Sequence, residues 1–177
     1  MNPFVSIIMN CKKGEKFLEE SLSSIINQTY KNWEVIIIDN YSTDNTSEIV
    51  ANFKSERIKY LKIHNNGVIA ISRNAGIKIA KGEWIAFLDS DDWWASNKLE
   101  ICIKKINDKV DLIYHDLEIR STKPRIFGRK KIKSRKLKKP VLIDLLIEGN
   151  AISNSSVIVR KKFLDEINGI DETKEMV

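Results

Sequence analysis

Apolar and polar positions along this chain alternate between two patterns, unbroken apolar runs and helical spacings. Residues 4–10 (FVSIIMN) and 33–40 (WEVIIIDN) are continuous apolar runs, the signature of strands buried on both faces of a parallel sheet. Between them, residues 15–28 place Phe17, Leu18, Leu22, Ile25 and Ile26 on one helical face. Residues 42–53 (STDNTSEIVANF) open on Ser, Thr and Asp capping choices and predict a second helix. A weaker alternation at 57–63 (RIKYLKI) predicts a strand nearer the sheet edge, and 67–80 a helix with Gly76 at its centre. Residues 83–89 (EWIAFLD) predict another buried strand, 95–106 a helix capped by Ser96 or Asn97, and 110–119 (VDLIYHDLEI) one longer strand. Farther on, 140–150 (PVLIDLLIEGN) reads as a short helix between Pro140 and Gly149, and 153–170 as a strand running into a helix.

Strand and helix alternate in units of roughly 25–30 residues, the pattern of an α/β fold with a mainly parallel central sheet between helical layers. One domain over 1–177 is expected, with a first half over 1–119, a basic loop over 120–139 and a further part over 140–177. Ligands of such sheets sit beyond the carboxyl ends of the strands. Asn10, Asp39 and Asp89 each end a predicted strand, so topology gathers them on one rim.

Composition fits a globular chain, with 42% hydrophobic and 31% charged residues, and no apolar run reaches the roughly 20 residues of a membrane span. The N-terminus lacks a basic stretch ahead of its apolar run, so it predicts a first strand and no signal peptide. Cys11 and Cys102 lack metal-ligand spacing and read as small apolar residues suited to a reducing cytoplasm. His64 and His115 read as ordinary loop or strand residues. The net charge of +6 is a misleading average, because 11 of the 30 Lys and Arg fall within residues 120–139, where there is no acid. That leaves 19 basic against 24 acidic side chains elsewhere, a net of −5.

The chemistry concentrates in EWIAFLDSDDWWASNKLE, where Asp89, Asp91 and Asp92 follow a buried strand. Like charges this close repel unless something positive joins them. A hard divalent cation, Mn²⁺ or Mg²⁺, takes one or two carboxylates and shares its remaining shell with substrate phosphates. The structural alternative is an ion pair with a nearby Lys or Arg. The chain has no G-x-x-x-x-G-K-[ST], no G-x-G-x-x-G after its first strand, and Trp93 where an aspartyl-phosphate phosphatase has Thr or Val.

VSIIMNCKKGEKFLEESLSSIINQTYKNWEVIIIDNYSTDNT and NNGVIAISRNAGIKIAKGEWIAFLDSDDWW resemble the inverting family-2 glycosyltransferases of bacterial type, which have the GT-A fold. The likeness runs in register from about residue 4 to residue 171. The resemblance implies a Rossmann-like GT-A fold, with Asn10, Asp39, Arg73, Asp89 and Ser90 on the nucleotide-sugar and Asp91 on the metal. It implies transfer of a hexose from a nucleotide-diphosphate donor, a UDP-sugar, to a glycan or lipid-linked acceptor in cell-surface polysaccharide synthesis. Lys12-Lys13 and Tyr41 depart from the family pattern; the lysines meet a phosphate or are solvated, and Tyr41 would narrow the nucleotide pocket.

On the acceptor side, Trp93 and Trp94 stack a sugar ring or pack the core, while Asn154 and Ser155 line the pocket or form an ordinary strand edge. The family's general base follows the stretch matched by Asp171 and Glu172 by several residues. The resemblance therefore places the base beyond Val177, with Asp92 as the substitute within the chain. The tract 120–139 is expected to be an exposed block that meets anionic lipid on the cytoplasmic leaflet, with Ile126, Phe127, Ile132 and Leu137 inserting shallowly. Nucleic acid is not an expected partner, since Phe127 is the one aromatic in the tract and the remainder is acidic. Two other classes stay open on the residues: a nucleotide-sugar-binding module without catalysis, and a nucleic-acid-binding protein.

Overall fold

The computed structural model describes residues 2–120 and 131–173. Its centre is a six-stranded sheet of order β3-β2-β1-β4-β8-β5. β1 (Val5–Cys11), β2 (Trp33–Asp39), β3 (Ile58–Lys62) and β4 (Trp84–Phe87) are parallel. The register aligns Val5 with Trp33 and Cys11 with Asp39, so both strands end on the same rim. β3 is the edge strand that its weak alternation predicts.

Side chains of the central strands alternate between two apolar layers. Val5, Ile7, Met9, Trp33, Val35 and Ile37 face α1 (Leu18–Ile26), α2 (Thr46–Asn52) and α4 (Lys98–Ile103), which contribute Leu18, Leu22, Ile25, Val50, Leu99 and Cys102. Ile8, Ile36, Ile38, Ile85 and Phe87 form the opposite layer with Ile77 of α3 (Ile69–Ile79). α3 lies close on the sheet because Gly76 has no side chain. A Cβ there would stand 2.7 Å from Ile8 Cγ2.

Two expectations need correction. Residues 110–119 are two strands, β5 (Leu112–Ile113) and β6 (Leu117–Glu118), in different sheets. The break between them contains Asp116, whose Oδ1 accepts the Ser134 backbone N–H at 2.7 Å and its hydroxyl at 2.8 Å. β6 then pairs antiparallel with β7 (Lys131–Ile132). The part of the basic tract that is described therefore holds a strand. Ile126, Phe127 and Lys130 lie outside the described residues.

Second, Asn97 takes the N-cap position of α4 as expected, but neither it nor Ser96 caps the helix with its side chain. Gln28 does so from 71 residues away, its Oε1 accepting the Leu99 N–H at 3.0 Å. The sheet is mainly parallel, as the pattern predicts, with one strand reversed. α5 (Val141–Glu148) and a 3-10 turn (Asn154–Ser156) lead into β8 (Ile158–Arg160), which runs antiparallel between β4 and β5 and precedes α6 (Lys161–Glu166).

Candidate functional site

Strand order reverses at β1, with β2 on one side and β4 on the other, and such a switch point opens a crevice at the carboxyl ends. A hollow of about 700 Å³ lies there, lined by Asn10, Asn40, Asn65, Arg73, Asp89, Ser90 and Asp91 together with Lys12, Lys13 and Lys16. Four cations thus share a crevice with two carboxylates, a balance that favours an anionic ligand. Cys11 also lines it, but burial pushes its thiol up to about 11, so it is no nucleophile near neutrality.

The three acids of the β4–α4 loop have been given separate partners. Asp89 Oδ1 accepts a hydrogen bond from Arg73 at 3.2 Å and from the Asn154 amide at 2.8 Å. Asp92 is half-buried and accepts the Ser155 hydroxyl at 2.6 Å. Burial raises the Asp92 pKa, the Ser155 hydroxyl opposes this, and the charges of Asp91 and Asp89 add to it. Asp91 is exposed on the crevice wall, and its carboxylate has no hydrogen-bond partner among the described residues. No three metal-ligating side chains converge among the described residues. The oxygen donor at Asp91 nonetheless fits a hard cation that takes the rest of its shell from phosphates.

Ser155 is the hub of this arrangement. Its hydroxyl accepts the Asp89 N–H at 3.1 Å while donating to Asp92, and its carbonyl accepts the Trp94 indole N–H at 2.8 Å. The 3-10 turn before β8 thus locks the acidic loop from the neighbouring strand. Asn154 and Ser155 therefore meet the acids themselves. The two tryptophans divide: Trp94 is core, and Trp93 is 43% exposed beside the acids.

The general base placed beyond Val177 falls outside the described residues, as does Val177 itself. The acids nearest that stretch have other tasks. Glu172 accepts the Asn74 amide at 2.7 Å, and Asp171 accepts the Thr173 N–H at 2.8 Å. Asp92, the substitute within the chain, is held in the acidic loop by the Ser155 hydroxyl.

Asp39 stands at the end of β2 but is fully buried, with Oδ1 taken by Ser42 and Oδ2 by the Tyr60 hydroxyl; Asn40 reaches the crevice instead. Tyr41 does not line the crevice. It stacks on His64 with centroids 3.7 Å apart, at a φ of 47° that explains why glycine suits this position. Lys12 and Lys13 are both exposed on the crevice wall.

Residue spacing did not reveal two supports. Asn65 donates to Ser72 Oγ at 2.8 Å, accepts the Gly67 N–H at 3.0 Å, and so fixes the loop that carries α3 and Arg73. Lys98 is buried, and its Nζ lies 3.6 Å from the centroid of the Trp94 ring with no hydrogen-bond partner among the described residues. Neither had a signal beyond its residue type.

Residues 6–167 match the family described as Glycosyl transferase family 2. Among curated proteins, the chain is 42% identical over 116 residues to the Escherichia coli UDP-Glc:alpha-D-GlcNAc-diphosphoundecaprenol beta-1,3-glucosyltransferase WfgD, covering 65% of this chain and 46% of that protein. It is 37% identical over 100 residues to the Bacillus subtilis putative teichuronic acid biosynthesis glycosyltransferase TuaG, covering 55% of this chain and 40% of that protein. The chain thus spans less than half the length of these relatives. S. aureus TarS, solved in complex with UDP-GlcNAc, superposes with a TM-score of 0.73 at 24% identity, over 93% of this chain and 47% of that one. The mannosyltransferase PcManGT from Pyrobaculum calidifontis, solved with GDP-Man and Mn²⁺, gives 0.68 at 18% identity, over 96% of this chain and 48% of that one. With the family description matched from β1 to the end of α6 and the fold of these structures reproduced, the chain belongs to glycosyl transferase family 2 and has its GT-A fold.

Proposed function

We propose that this chain forms the donor-binding part of an inverting glycosyltransferase that moves a hexose from a UDP-sugar to a glycan or lipid-linked acceptor, at the inner face of the cell membrane. The observation that carries this is the switch-point crevice, where Arg73 and three lysines line the same space as Asp89 and an unengaged Asp91. The cations suit a diphosphate, and Asp91 is free to share a cation with it. Arg73, fixed by Asp89, presents its remaining donors to the nucleotide. Asn10, Asn40 and Ser90 supply further polar contacts in the crevice. Asp39 positions the β2–α2 loop through Ser42 and is itself held by Tyr60 of β3.

A divalent cation at Asp91, Mn²⁺ or Mg²⁺, supplies Lewis-acid neutralisation of the departing diphosphate when bound. The sugar centre becomes oxocarbenium-like, and an acceptor hydroxyl attacks from the opposite face with a carboxylate accepting its proton. Among the described acids, Asp92 is the one whose surroundings raise its pKa, because it is desolvated beside two other carboxylates. Exposed Trp93 offers a face on which an acceptor sugar can stack. The E. coli relatives WfgD and WfaP, both named as acting on a GlcNAc-diphosphoundecaprenol, support a lipid-linked acceptor.

Thermal shift with UDP, with and without Mn²⁺, tests the reading. UDP should stabilise the chain, and more so with Mn²⁺, by about 2.7 kcal/mol at a concentration 100-fold above its dissociation constant. Asp91→Ala should remove the Mn²⁺-dependent part and leave the fold intact. A variant that responds to Mn²⁺ and UDP like the unmodified chain overturns the assignment of Asp91.

A further inference from the structure

α5 is inside out. Its buried member is Asp144, which pairs with Arg135 and accepts the Lys138 N–H at 3.2 Å. Arg135 also donates to the carbonyls of Asp144 at 3.2 Å and Gly149 at 3.0 Å, fastening the middle and the C-terminal end of the helix in this orientation. The apolar side chains consequently point outward, with Leu142, Leu146 and Ile147 at 68%, 72% and 75% exposure. Val141 and Ile143 are exposed beside them. An apolar patch of this density on a protein surface marks a contact.

We propose that this face of α5 inserts into the interfacial layer of an anionic phospholipid bilayer. The charges beside it choose the partner. Lys131, Lys133, Lys136, Lys138 and Lys139 are all exposed in the segment that leads into the helix, and no acid occurs in residues 131–143. Protein interfaces are depleted of lysine, whereas anionic headgroups attract it. The helix is about 12 Å long, enough to lie in the interface plane. No helix among the described residues is long and apolar enough to cross a membrane. α5 leads within seven residues to Asn154 and Ser155, which hold Asp89 and Asp92. Docking through α5 therefore brings the acidic loop towards the bilayer surface, where a lipid-linked acceptor would be presented. That last step rests on the glycosyltransferase reading; the insertion itself does not.

Co-sedimentation of the chain with vesicles of equimolar phosphatidylglycerol and phosphatidylcholine, or of phosphatidylcholine alone, tests the proposal. Binding should require the anionic lipid and fall with salt. Leu146→Glu with Ile147→Glu should weaken it at least about tenfold, as should Lys136→Ser with Lys138→Ser and Lys139→Ser. Cys11 and Cys102 are buried, so a Leu146→Cys variant takes an environment-sensitive fluorophore at one place, and its emission should shift to the blue on anionic vesicles. A label that does not shift, or undiminished binding by the double glutamate variant, overturns the insertion. So does a concentration-dependent dimer that the double variant abolishes without any vesicle binding, because the face is then a contact between copies. The UDP response in both multiple variants reports whether they fold. Its absence in the unmodified chain, with lipid binding intact, would remove the donor-site reading and leave this one standing.

Discussion

Lys98 makes a quantitative prediction about stability. It opens α4, is 6% exposed, and has Trp94 under its ammonium and no ion-pair partner among the described residues. Burial brings its pKa down from 10.5 to about 7, with the Cys102 thiol working the other way. At roughly 1.4 kcal/mol for each pH unit, that fall is equivalent to about 5 kcal/mol against the charged form. The desolvated cation–π contact offsets about 2 kcal/mol of it. Lys98→Met keeps the length and the contact with Trp94 while removing the charge, so at pH 7 the variant should be more stable by about 3 kcal/mol.

The pH dependence has a definite sign. The folded-state pKa lies below that of the unfolded chain, so the unfolded state holds the proton between about 7 and 10.5 and the native state does not. Stability of the unmodified chain rises with pH across that window, and the penalty is complete below about 7. The gap between variant and unmodified chain should narrow by up to about 2 kcal/mol from pH 7 to pH 9 and stay constant below pH 6. Urea unfolding followed by tryptophan fluorescence at each pH measures it. A variant that is less stable at pH 7, or a gap that ignores pH, would show that the ammonium has an anionic partner and refute the argument.

Three further outcomes follow from other contacts. Ser155→Ala strands the Asp92 carboxylate and the Asp89 N–H, so stability should fall by about 1–3 kcal/mol and the Mn²⁺-dependent UDP response should shrink; an unchanged response in calorimetry would remove Ser155 from the site. Burial tends to raise the Glu34 pKa, but Lys59 at 2.7 Å, the Ser6 hydroxyl and the Lys81 N–H outweigh it and hold it below 4.5. Its contribution is therefore full above pH 4.5 and lost as pH falls through the lower folded value, and Glu34→Gln should flatten the acid limb of stability; a parallel pH profile would exclude the ion pair as its cause. Gly76→Ala should cost about 1–3 kcal/mol in urea unfolding, because its Cβ meets the branched Ile8 in a packed layer; a neutral change would mean that α3 can lift from the sheet.

Much of the fold was legible because local pattern and tertiary burial agree. β1, β2 and β4 are apolar on both faces, and an unbroken apolar run says so directly. Strand direction has no local code, so nothing in SVIVR showed that β8 would run antiparallel between β4 and β5. The run at 110–119 hid its break because Asp116 takes its partner, Ser134, from 18 residues farther on. The partners of Gln28 and Ser155 were illegible for the same reason, since each acts on a segment more than 60 residues distant. Lys98 misleads by type, as a lysine at a helix start reads as solvated. In α5 the helix was legible but its orientation was not, because VLIDLLIE gives no indication that its one aspartate would face inward to Arg135.

The acidic loop shows how such a site can exist in a folded chain without its ligand. Two carboxylates about 4 Å apart repel by about 4 kcal/mol at a surface-like dielectric, and three in four positions would oppose the turn that holds them. The fold answers with different chemistry at each position. Asp89 receives a guanidinium and an amide, which offset its charge by direct contact. Asp92 receives a hydroxyl in a half-buried setting, which leaves its proton affinity raised. Asp91 is left facing the crevice, where the remaining field of the loop attracts an external cation. Neutralising Arg73 would therefore do more than remove a contact to a nucleotide. It would return the Asp89 charge to the loop and tighten cation binding at Asp91 while weakening the hold on an anionic ligand. Arg73→Met should accordingly raise Mn²⁺ affinity in the absence of UDP and lower UDP affinity in EDTA, both read by calorimetry. A loss of both affinities would mean that Arg73 serves only to hold the loop in place.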